Sequence, residues 1–228
     1  MAVSAAPGDH RKRLLAAAQA LGAPLQGAEA DRLLAYVDLL QRWSRVYNLT
    51  ALRDPAEMLS HHLIDCLAVL PPLRRWWADA QPGARRLLDV GSGGGLPGVV
   101  LAALQPDWQV DCVDTVAKKA GFIRQVAAEL RLSNLQGLHA RVEALAPPAG
   151  GYGVIASRAF ASLADFTALT RHLLADGGVW MAMKGKLPAD EQAALPADVE
   201  VFHVEQLQVP GLDAQRCLVW MRPRAGTD

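Results

Sequence analysis

One glycine-rich stretch near the middle of the chain restricts the fold more than any other feature. Residues 87–90 form a short apolar run that contains Asp89, and five glycines follow between residues 91 and 98. Glycine accepts positive φ angles and lets a ligand approach the backbone without a Cβ in the way. Pro97 suits the first turn of a helix, because its missing N–H would have no partner there. The stretch therefore predicts a strand, a tight loop and a helix whose free N–H groups face a nucleotide-like ligand.

The part of the chain before this stretch is predicted to be a helical cap. Apolar residues recur at helical spacing in residues 14–21, 31–43 and 55–70, which predicts helices there. Pro71 and Pro72 are expected to end the third helix, and residues 81–83 are expected to form a linker. No strand pattern is found before Arg86. We therefore expect two domains, a cap at residues 1–82 and a second domain at residues 83–228.

From Arg86 onward, short apolar runs alternate with helical patterns. The predicted helices cover residues 97–104, 117–130 and 163–174, and the predicted strands cover residues 86–90, 110–114, 135–139, 153–157 and 179–184. Such alternation is typical of a parallel sheet covered on both faces. Two further strands, at residues 199–209 and 216–221, predict a C-terminal antiparallel hairpin. The expected fold is α/β and Rossmann-like, with a mostly parallel seven-stranded sheet.

Composition limits the other function classes. Lys plus Arg and Asp plus Glu both number 23, so the net charge is zero and any basic surface must be local. The three cysteines are far apart, which argues against a disulfide framework or a zinc site and fits a reducing cytosol. Residues 11–18 superficially resemble a signal peptide, but Gln19 interrupts a weakly apolar run, and no stretch approaches the ~20 apolar residues of a membrane span. We expect a cytoplasmic monomer without a bound metal ion or a membrane contact.

The glycine loop alone leaves the ligand open. Gly93, Gly95 and Gly98 match the G-x-G-x-x-G pattern of dinucleotide-binding proteins, and Asp114 at the end of the second strand can accept from ribose hydroxyls of several cofactors. The glycines could also form only a tight packing turn. Asp89 ahead of the glycines gives the Asp-x-Gly-x-Gly-x-Gly form that is typical of methyltransferases.

Two more features favour S-adenosylmethionine over a nicotinamide cofactor. The segment Arg141-Val142-Glu143 follows the third strand, where methyltransferases usually edge the adenine ring. The C-terminal hairpin also separates the methyltransferase class of Rossmann-like folds from the nicotinamide dehydrogenases.

Taken together, the motifs resemble those of the bacterial small-subunit rRNA guanine-N7 methyltransferases, the RsmG or glucose-inhibited division protein B family. The resemblance covers about residues 40–221 and is carried by Tyr47-Asn48-Leu49-Thr50, His62-Leu63-Ile64-Asp65, the glycine loop, Asp114, Arg141-Val142-Glu143, Ser157-Arg158-Ala159-Phe160 and Met183-Lys184-Gly185. Cys66 departs from the serine that the family usually has at this position.

The resemblance implies methyl transfer from S-adenosylmethionine to N7 of one guanine in the decoding region of 16S rRNA, with the rRNA or the small ribosomal subunit as partner. It also implies that Gly91, Leu96, Val142, Glu143 and Arg158 contact the cofactor. With the loop and ribose candidates added, the expected cofactor site consists of Asp89, Gly91, Gly93, Gly95, Leu96, Asp114, Val142, Glu143 and Arg158. Alternatives are a methyltransferase of the same fold that acts on a small molecule or a protein, a nicotinamide-dependent oxidoreductase, or a non-catalytic binding protein.

The chemistry of guanine N7 agrees with this set of residues. N7 carries an in-plane lone pair and loses no proton, so positioning supplies most of the acceleration and no general base is required. The fourth strand ends in Ser157-Arg158-Ala159-Phe160 rather than in the Asn/Asp-Pro-Pro-aromatic motif of exocyclic-amine methyltransferases. The chain also lacks a Pro-Cys nucleophile, which makes a covalent cytosine-C5 mechanism an unsuitable interpretation.

The individual side chains have competing interpretations. Asp114 binds the ribose or caps a strand end, and Asp89 is expected to brace the loop by accepting backbone N–H bonds rather than to touch the cofactor. Arg158 pairs with the methionine carboxylate, an rRNA phosphate or a surface acid. Phe160 stacks on the flipped guanine or belongs to the core. Lys184 anchors a phosphate or extends from the sheet edge into solvent.

The remaining basic residues and histidines are less specific. His61 and His62 are expected to be cap residues near the cofactor mouth, because adjacent histidines on a helix point in different directions and suit a metal poorly. Four basic clusters form an rRNA-facing surface or simply solvated faces, namely Arg11-Lys12-Arg13, Arg74-Arg75, Arg85-Arg86 and Lys118-Lys119.

Overall fold

A computed structural model describes residues 7–47, 49–50, 52, 54–79, 85–158, 160, 162–186 and 189–224. The N-terminal part is helical, as expected. Its helices are α1 (Pro7–Ala20), α2 (Gly27–Tyr47), α3 (Pro55–Met58), a π-helical segment (Leu59–Ile64), α4 (Asp65–Leu67) and α5 (Leu70–Asp79). The expected linker at residues 81–83, and with it the boundary between the two expected domains, lies outside the described residues.

The cap packs on the rest of the chain through the apolar face of α2. Leu33, Val37 and Leu40 recur at helical spacing and are buried. They belong to one hydrophobic core that also contains Val99 and Phe122 from the two helices that cover the sheet on this side. The cap therefore shares its core with the sheet and does not form a separate one.

The expectation that Pro71 and Pro72 end a helix was wrong. Both prolines lie in the first turn of α5, which begins at Leu70. Proline loses no hydrogen bond in a first turn, because N–H groups there have no intrahelical acceptor. Trp77 is consequently helical and buried, and its ring lies 4.2 Å from that of Trp108. The helix predicted over residues 55–70 also differs, since its middle is wound as the π-helical segment.

The sheet follows from the alternation of strands and helices. Its strands are β1 (Arg86–Val90), β2 (Gln109–Asp114), β3 (Leu135–His139), β4 (Tyr152–Ser157), β5 (Leu174–Lys184), β6 (Val199–Leu207) and β7 (Arg216–Pro223). Their order is β3-β2-β1-β4-β5-β7-β6, and β7 is antiparallel to both of its neighbours. The predicted fold class, a mostly parallel seven-stranded sheet with a C-terminal antiparallel hairpin, is confirmed.

Helices cover both faces of the sheet. They are α6 (Gly98–Leu104), α7 (Ala117–Glu129), α8 (Leu163–Thr170) and the unpredicted α9 (Ala189–Ala193). Side chains alternate along β1, so that Leu87 joins the core shared with the cap while Leu88 joins a second core under α8. The helix predicted over residues 163–174 ends earlier, and β5 begins at Leu174 rather than at residue 179. α8 ends at Thr170, whose buried hydroxyl accepts from the indole N–H of Trp180 at 2.9 Å, and a 3₁₀ turn, Arg171–Leu173, leads into β5.

Candidate cofactor site and adjoining pocket

The glycine loop between β1 and α6 has one open side. Gly91, Gly93 and Gly95 have φ angles of +66°, +58° and +87°, values that residues other than glycine rarely adopt. A Cβ placed on Gly91 or Gly93 would have no heavy atom within 4 Å. The backbone N–H of Gly91 donates to the carbonyl of Val113 at 3.0 Å, which ties the loop to the end of β2. The loop is thus fixed on one side and free to meet a ligand on the other.

Asp89 lies beneath the loop and braces it, as expected. Its side chain is fully buried, and its Oδ2 accepts from the backbone N–H of Gly98 at 2.8 Å. A Cβ on Gly98 would overlap Cys112 Sγ, so that only glycine lets α6 approach β2 this closely. Burial raises the pKa of Asp89 to about 7, although the bond from Gly98 and the charge of Arg158 act in the opposite direction. Asp89 Oδ1 and Ser92 Oγ are buried without a hydrogen-bond partner among the described residues.

Asp114 closes the loop from the β2 side. Its Oδ2 accepts from the backbone N–H of Gly93 at 3.1 Å, and its Oδ1 accepts from that of Val116 at 2.9 Å. Lys119 Nζ lies 3.4 Å from Oδ2. The carboxylate therefore caps the end of β2, and it also lies next to the glycine loop. Val116, which the sequence analysis did not select, has 43% of its surface exposed beside it and offers an apolar wall.

The expected adenine-edge residues lie in a short 3₁₀ turn, Val142–Ala144, directly after β3. Val142 is buried, whereas Glu143 is at the surface and accepts from Arg141 Nε at 2.7 Å. A hydrogen bond from its own backbone N–H and the Arg141 guanidinium lower the pKa of Glu143. An ionised acceptor and an apolar side chain thus follow β3 next to each other.

Arg158 follows β4 and turns towards the cap. Its Nη1 lies 3.4 Å from the carbonyl oxygen of His61 and 3.5 Å from His62 Nδ1. Within the described part of the chain, no carboxylate oxygen lies within 4.0 Å of its guanidinium, so the alternative interpretation of Arg158, a surface salt bridge, finds no partner there. A partly buried guanidinium without a carboxylate partner is suited to binding an anion.

A chain of hydrogen bonds that the sequence analysis missed holds this arginine. Burial and the charge of Arg158 lower the pKa of His62 to about 4, which keeps the ring neutral at neutral pH. A guanidinium can only donate, so Nδ1 is the acceptor and the proton resides on Nε2. His62 Nε2 lies 2.6 Å from Thr50 Oγ1 and donates to it. The motifs around Thr50 and His62 resemble those of the family, but the sequence does not show that these two side chains contact each other.

A pocket of about 220 Å³, the Arg158–Arg216 pocket, opens beside Arg158 between the cap and the ends of β4 and β5. It is lined by His61, His62, Asp65, Arg158, Met183, Lys184, Gly185 and Arg216. Asp65 is 3% exposed, and its Oδ1 accepts from Arg216 Nε at 3.0 Å. Burial raises the pKa of Asp65, although the charges of Arg216 and Arg158 act to lower it. Arg216 was not predicted to be a site residue.

Two positioning candidates have intramolecular partners. Lys184 Nζ donates to Glu191 of α9 at 2.8 Å and 3.0 Å. Phe160 packs against Phe166 with ring centroids 5.5 Å apart and borders the core under α8 rather than the pocket. The structure thus brings Arg158 and Lys184 to one pocket and places Phe160 beside the core.

Several residues of the basic clusters have intramolecular contacts or lie away from the motif residues. Arg11 pairs with Asp31 at 2.7 Å, whereas Lys118 Nζ lies over the ring of Tyr47, 5.0 Å from its centroid. A larger groove of about 1220 Å³ lies at the opposite edge of the sheet, where β1 and β4 begin, and includes Arg85 and Arg86. None of the motif residues lines that groove. We therefore place the functional site at the carboxyl ends of the strands.

Comparison with known proteins identifies the family. A family model described as "rRNA small subunit methyltransferase G" (GidB) matches residues 29–219. The chain belongs to this family. The ribosomal RNA small subunit methyltransferase G of Leptothrix cholodnii is 66% identical over 215 residues, which cover 94% of this chain and 96% of the relative. The protein of the same name from Acidovorax sp. strain JS42 is 63% identical over 214 residues, covering 91% and 93%.

Solved structures with low sequence identity support the fold of this methyltransferase G family member. A SAM-dependent methyltransferase from Aquifex aeolicus has a TM-score of 0.52 at 14% identity and covers 82% of this chain and 97% of that chain. TrmN from Thermus thermophilus has a TM-score of 0.56 at 23% identity and covers 73% and 53%. The fold is therefore that of class I methyltransferases.

No helix in the described segments is both long and apolar enough to cross a membrane. In the same segments, no group of three or more His, Cys, Asp or Glu side chains could hold a metal ion.

Proposed function

We propose that this protein transfers a methyl group from S-adenosylmethionine to N7 of one guanine in the decoding region of 16S rRNA, with the small ribosomal subunit as partner. The observation that carries the proposal is an open glycine loop flanked by Asp114 on one side and by Arg158, a guanidinium without a carboxylate partner in the described chain, on the other. Family membership and the names of the relatives support rRNA as the substrate.

The residues around the loop fit S-adenosylmethionine. Gly91 and Gly93 leave space where a side chain would stand, and two buried polar atoms at the loop, Asp89 Oδ1 and Ser92 Oγ, have no partner among the described residues. Asp114 would receive the ribose hydroxyls in addition to its backbone bonds. The adenine would lie between apolar Val116 and Val142, and Glu143 would accept from the edge of the ring.

Arg158 would hold the methionine carboxylate of the cofactor. Its guanidinium offers several donors in a fixed plane, and carboxylates match that plane with two parallel bonds. His62 and Thr50 hold the guanidinium in place through the hydrogen bonds described above. Lys184 is the weaker candidate for an anion, because Glu191 already neutralises it.

N7 as the acceptor requires no general base from the residues that line the Arg158–Arg216 pocket. When bound, S-adenosylmethionine supplies an electrophilic methyl group, which the N7 lone pair can take without loss of a proton. The accepting nitrogen of His62 faces Arg158, and one oxygen of Asp65 accepts from Arg216. The protein's contribution is to orient the guanine and to exclude water.

The test uses labelled S-adenosylmethionine and small ribosomal subunits from cells that lack this gene. After incubation, the rRNA is digested and its nucleosides are separated. We expect label in 7-methylguanosine at a single position, and no label when 7-deazaguanosine replaces the target. Label in another nucleoside would refute the N7 assignment. Unlabelled rRNA together with measurable cofactor binding would mean that the enzyme has a different substrate.

A further inference from the structure

The Arg158–Arg216 pocket lies where a methyl acceptor has to approach. The cofactor loop and Asp114 occupy the ends of β1 and β2, and the pocket lies on the other side of Arg158, at the ends of β4 and β5. Its volume of about 220 Å³ corresponds to roughly seven liquid waters at ~30 Å³ each. Such a space suits a single flipped base rather than a length of RNA.

Asp65 is the one carboxylate among the residues that line this pocket. It is almost fully buried, and Arg216 supplies the only hydrogen bond to its side chain among the described residues. A buried carboxylate with two oxygens and about four lone-pair sites can accept further N–H bonds, and it is poorly stabilised without them. The direction of its pKa, raised by burial in spite of two nearby arginines, agrees with this. The pocket therefore presents an acceptor that lacks donors.

Guanine is the RNA base that supplies two adjacent donors on one edge. Its N1–H and its 2-amino group point in the same direction, and a carboxylate can accept from both. Adenine offers an acceptor at N1, and the pyrimidines offer at most one donor next to an acceptor. Holding guanine by this edge also leaves N7, on the opposite side of the purine, free to face the cofactor.

We propose that Asp65 selects the target base by accepting hydrogen bonds from N1–H and the 2-amino group of guanine in the Arg158–Arg216 pocket. This inference rests on the proposed function. Arg216 orients the carboxylate by its bond to Oδ1 and so links the cap to the first residue of β7. A phosphate group is the alternative occupant of the pocket, because arginines also bind phosphates. The negative charge of Asp65 would repel it.

The experiment compares guanosine with inosine at the target position of reconstituted small subunits. Inosine keeps N7 and O6 but lacks the 2-amino group. For the wild-type protein, we expect inosine to lower kcat/KM by about 10- to 100-fold, the usual range for one lost hydrogen bond to a charged group. Asp65→Asn should lower kcat/KM on guanosine by a similar factor and should no longer distinguish the two bases.

Controls separate recognition from structure. Asp213→Asn changes an exposed acid in the turn before β7 and should keep both the activity and the preference for guanosine. S-adenosylmethionine affinity should be the same in Asp65→Asn and in the wild type. If Asp65→Asn does not fold, the double variant D65N/R216M, which leaves no unpaired charge, should show the same loss of preference.

Three outcomes would overturn the inference. The first is equal use of guanosine and inosine by the wild type, and the second is a preference for guanosine that survives in the Asp65 variants. The third is an unchanged or higher kcat/KM for Asp65→Asn, which is expected if the pocket binds a phosphate, because the substitution removes a repelling charge. Formation of 7-methylguanosine by the wild type in these assays would show that the proposed function stands although the role of Asp65 fails. If no 7-methylguanosine forms, the proposed function itself fails.

Discussion

The buried imidazole of His62 makes the stability of the folded protein depend on pH. Burial and Arg158 lower its pKa from an ordinary value of 6.5 to about 4. Between these two pH values the unfolded state binds more protons than the folded state, so stability falls as the pH drops and is fully present above pH 6.5. From these two pKa values, the loss relative to pH 8 is about 2 kcal/mol at pH 5 and about 3 kcal/mol at pH 4.

The substitution His62→Gln tests this value. Glutamine keeps an N–H for Thr50 but cannot titrate. We would measure the free energy of unfolding in urea from pH 8 to pH 4.5 for both proteins and take their difference at each pH. The raised pKa values of Asp65 and Asp89 give the opposite pH dependence, but they are present in both proteins and cancel in the difference.

We expect the wild type to lose about 2 kcal/mol more than His62→Gln between pH 8 and pH 5. The substitution His203→Gln replaces an exposed imidazole on β6, and it shows what the loss of any imidazole does to the free energy of unfolding. Free-energy curves of the wild type and His62→Gln that run parallel over this range would refute the reasoning. An NMR titration of the His62 ring with a midpoint near pH 6.5 would do the same.

Three further substitutions, with Gly121→Ala as a control for the first, probe the loop and Arg158. Gly98→Ala should cost about 1–3 kcal/mol of unfolding free energy because the new methyl group overlaps the β2 side chain, whereas Gly121→Ala, on a helix with space around it, should add about 0.5–1 kcal/mol in the same urea experiment. Tyr36→Phe should cost about 1–3 kcal/mol, because it leaves the buried carbonyl of Gly94 without its 2.7 Å bond; an unchanged urea midpoint would contradict this. Arg158→Met should weaken S-adenosylmethionine binding by about 10-fold or more in a calorimetric titration, and wild-type affinity would exclude the carboxylate role.

Features that depend on neighbouring residues could be predicted from the sequence. The strands, the glycine loop and the bracing role of Asp89 follow from short patterns, because the residues concerned are close in the chain. Local rules failed where the tertiary environment decides. Pro71 and Pro72 are compatible with either end of a helix. At the start of β5, Leu174 pairs with Tyr152 of β4, and the pairing then shifts register before it resumes at Val179.

The pocket next to the cofactor loop could not be assembled from the sequence. Asp65 and Arg216 are 151 positions apart, and the pattern around each gives no sign of the other. Likewise, Thr50, His62 and Arg158 were noted within separate motifs, but only the folded chain aligns them. Residue spacing predicts contacts within one supersecondary unit, whereas the residues of this site come from the cap and from β4, β5 and β7 or the residues next to them.

The contact between α2 and the glycine loop has a consequence for the history of the family. Tyr36 donates to the carbonyl of Gly94, and a Cβ on Gly94 would lie 2.8 Å from Leu40 Cδ1. A side chain at position 94 therefore requires the side chain at position 40 to move or to become smaller. We expect these positions to change together among homologues, and a cap transplanted from a distant relative to need its own loop.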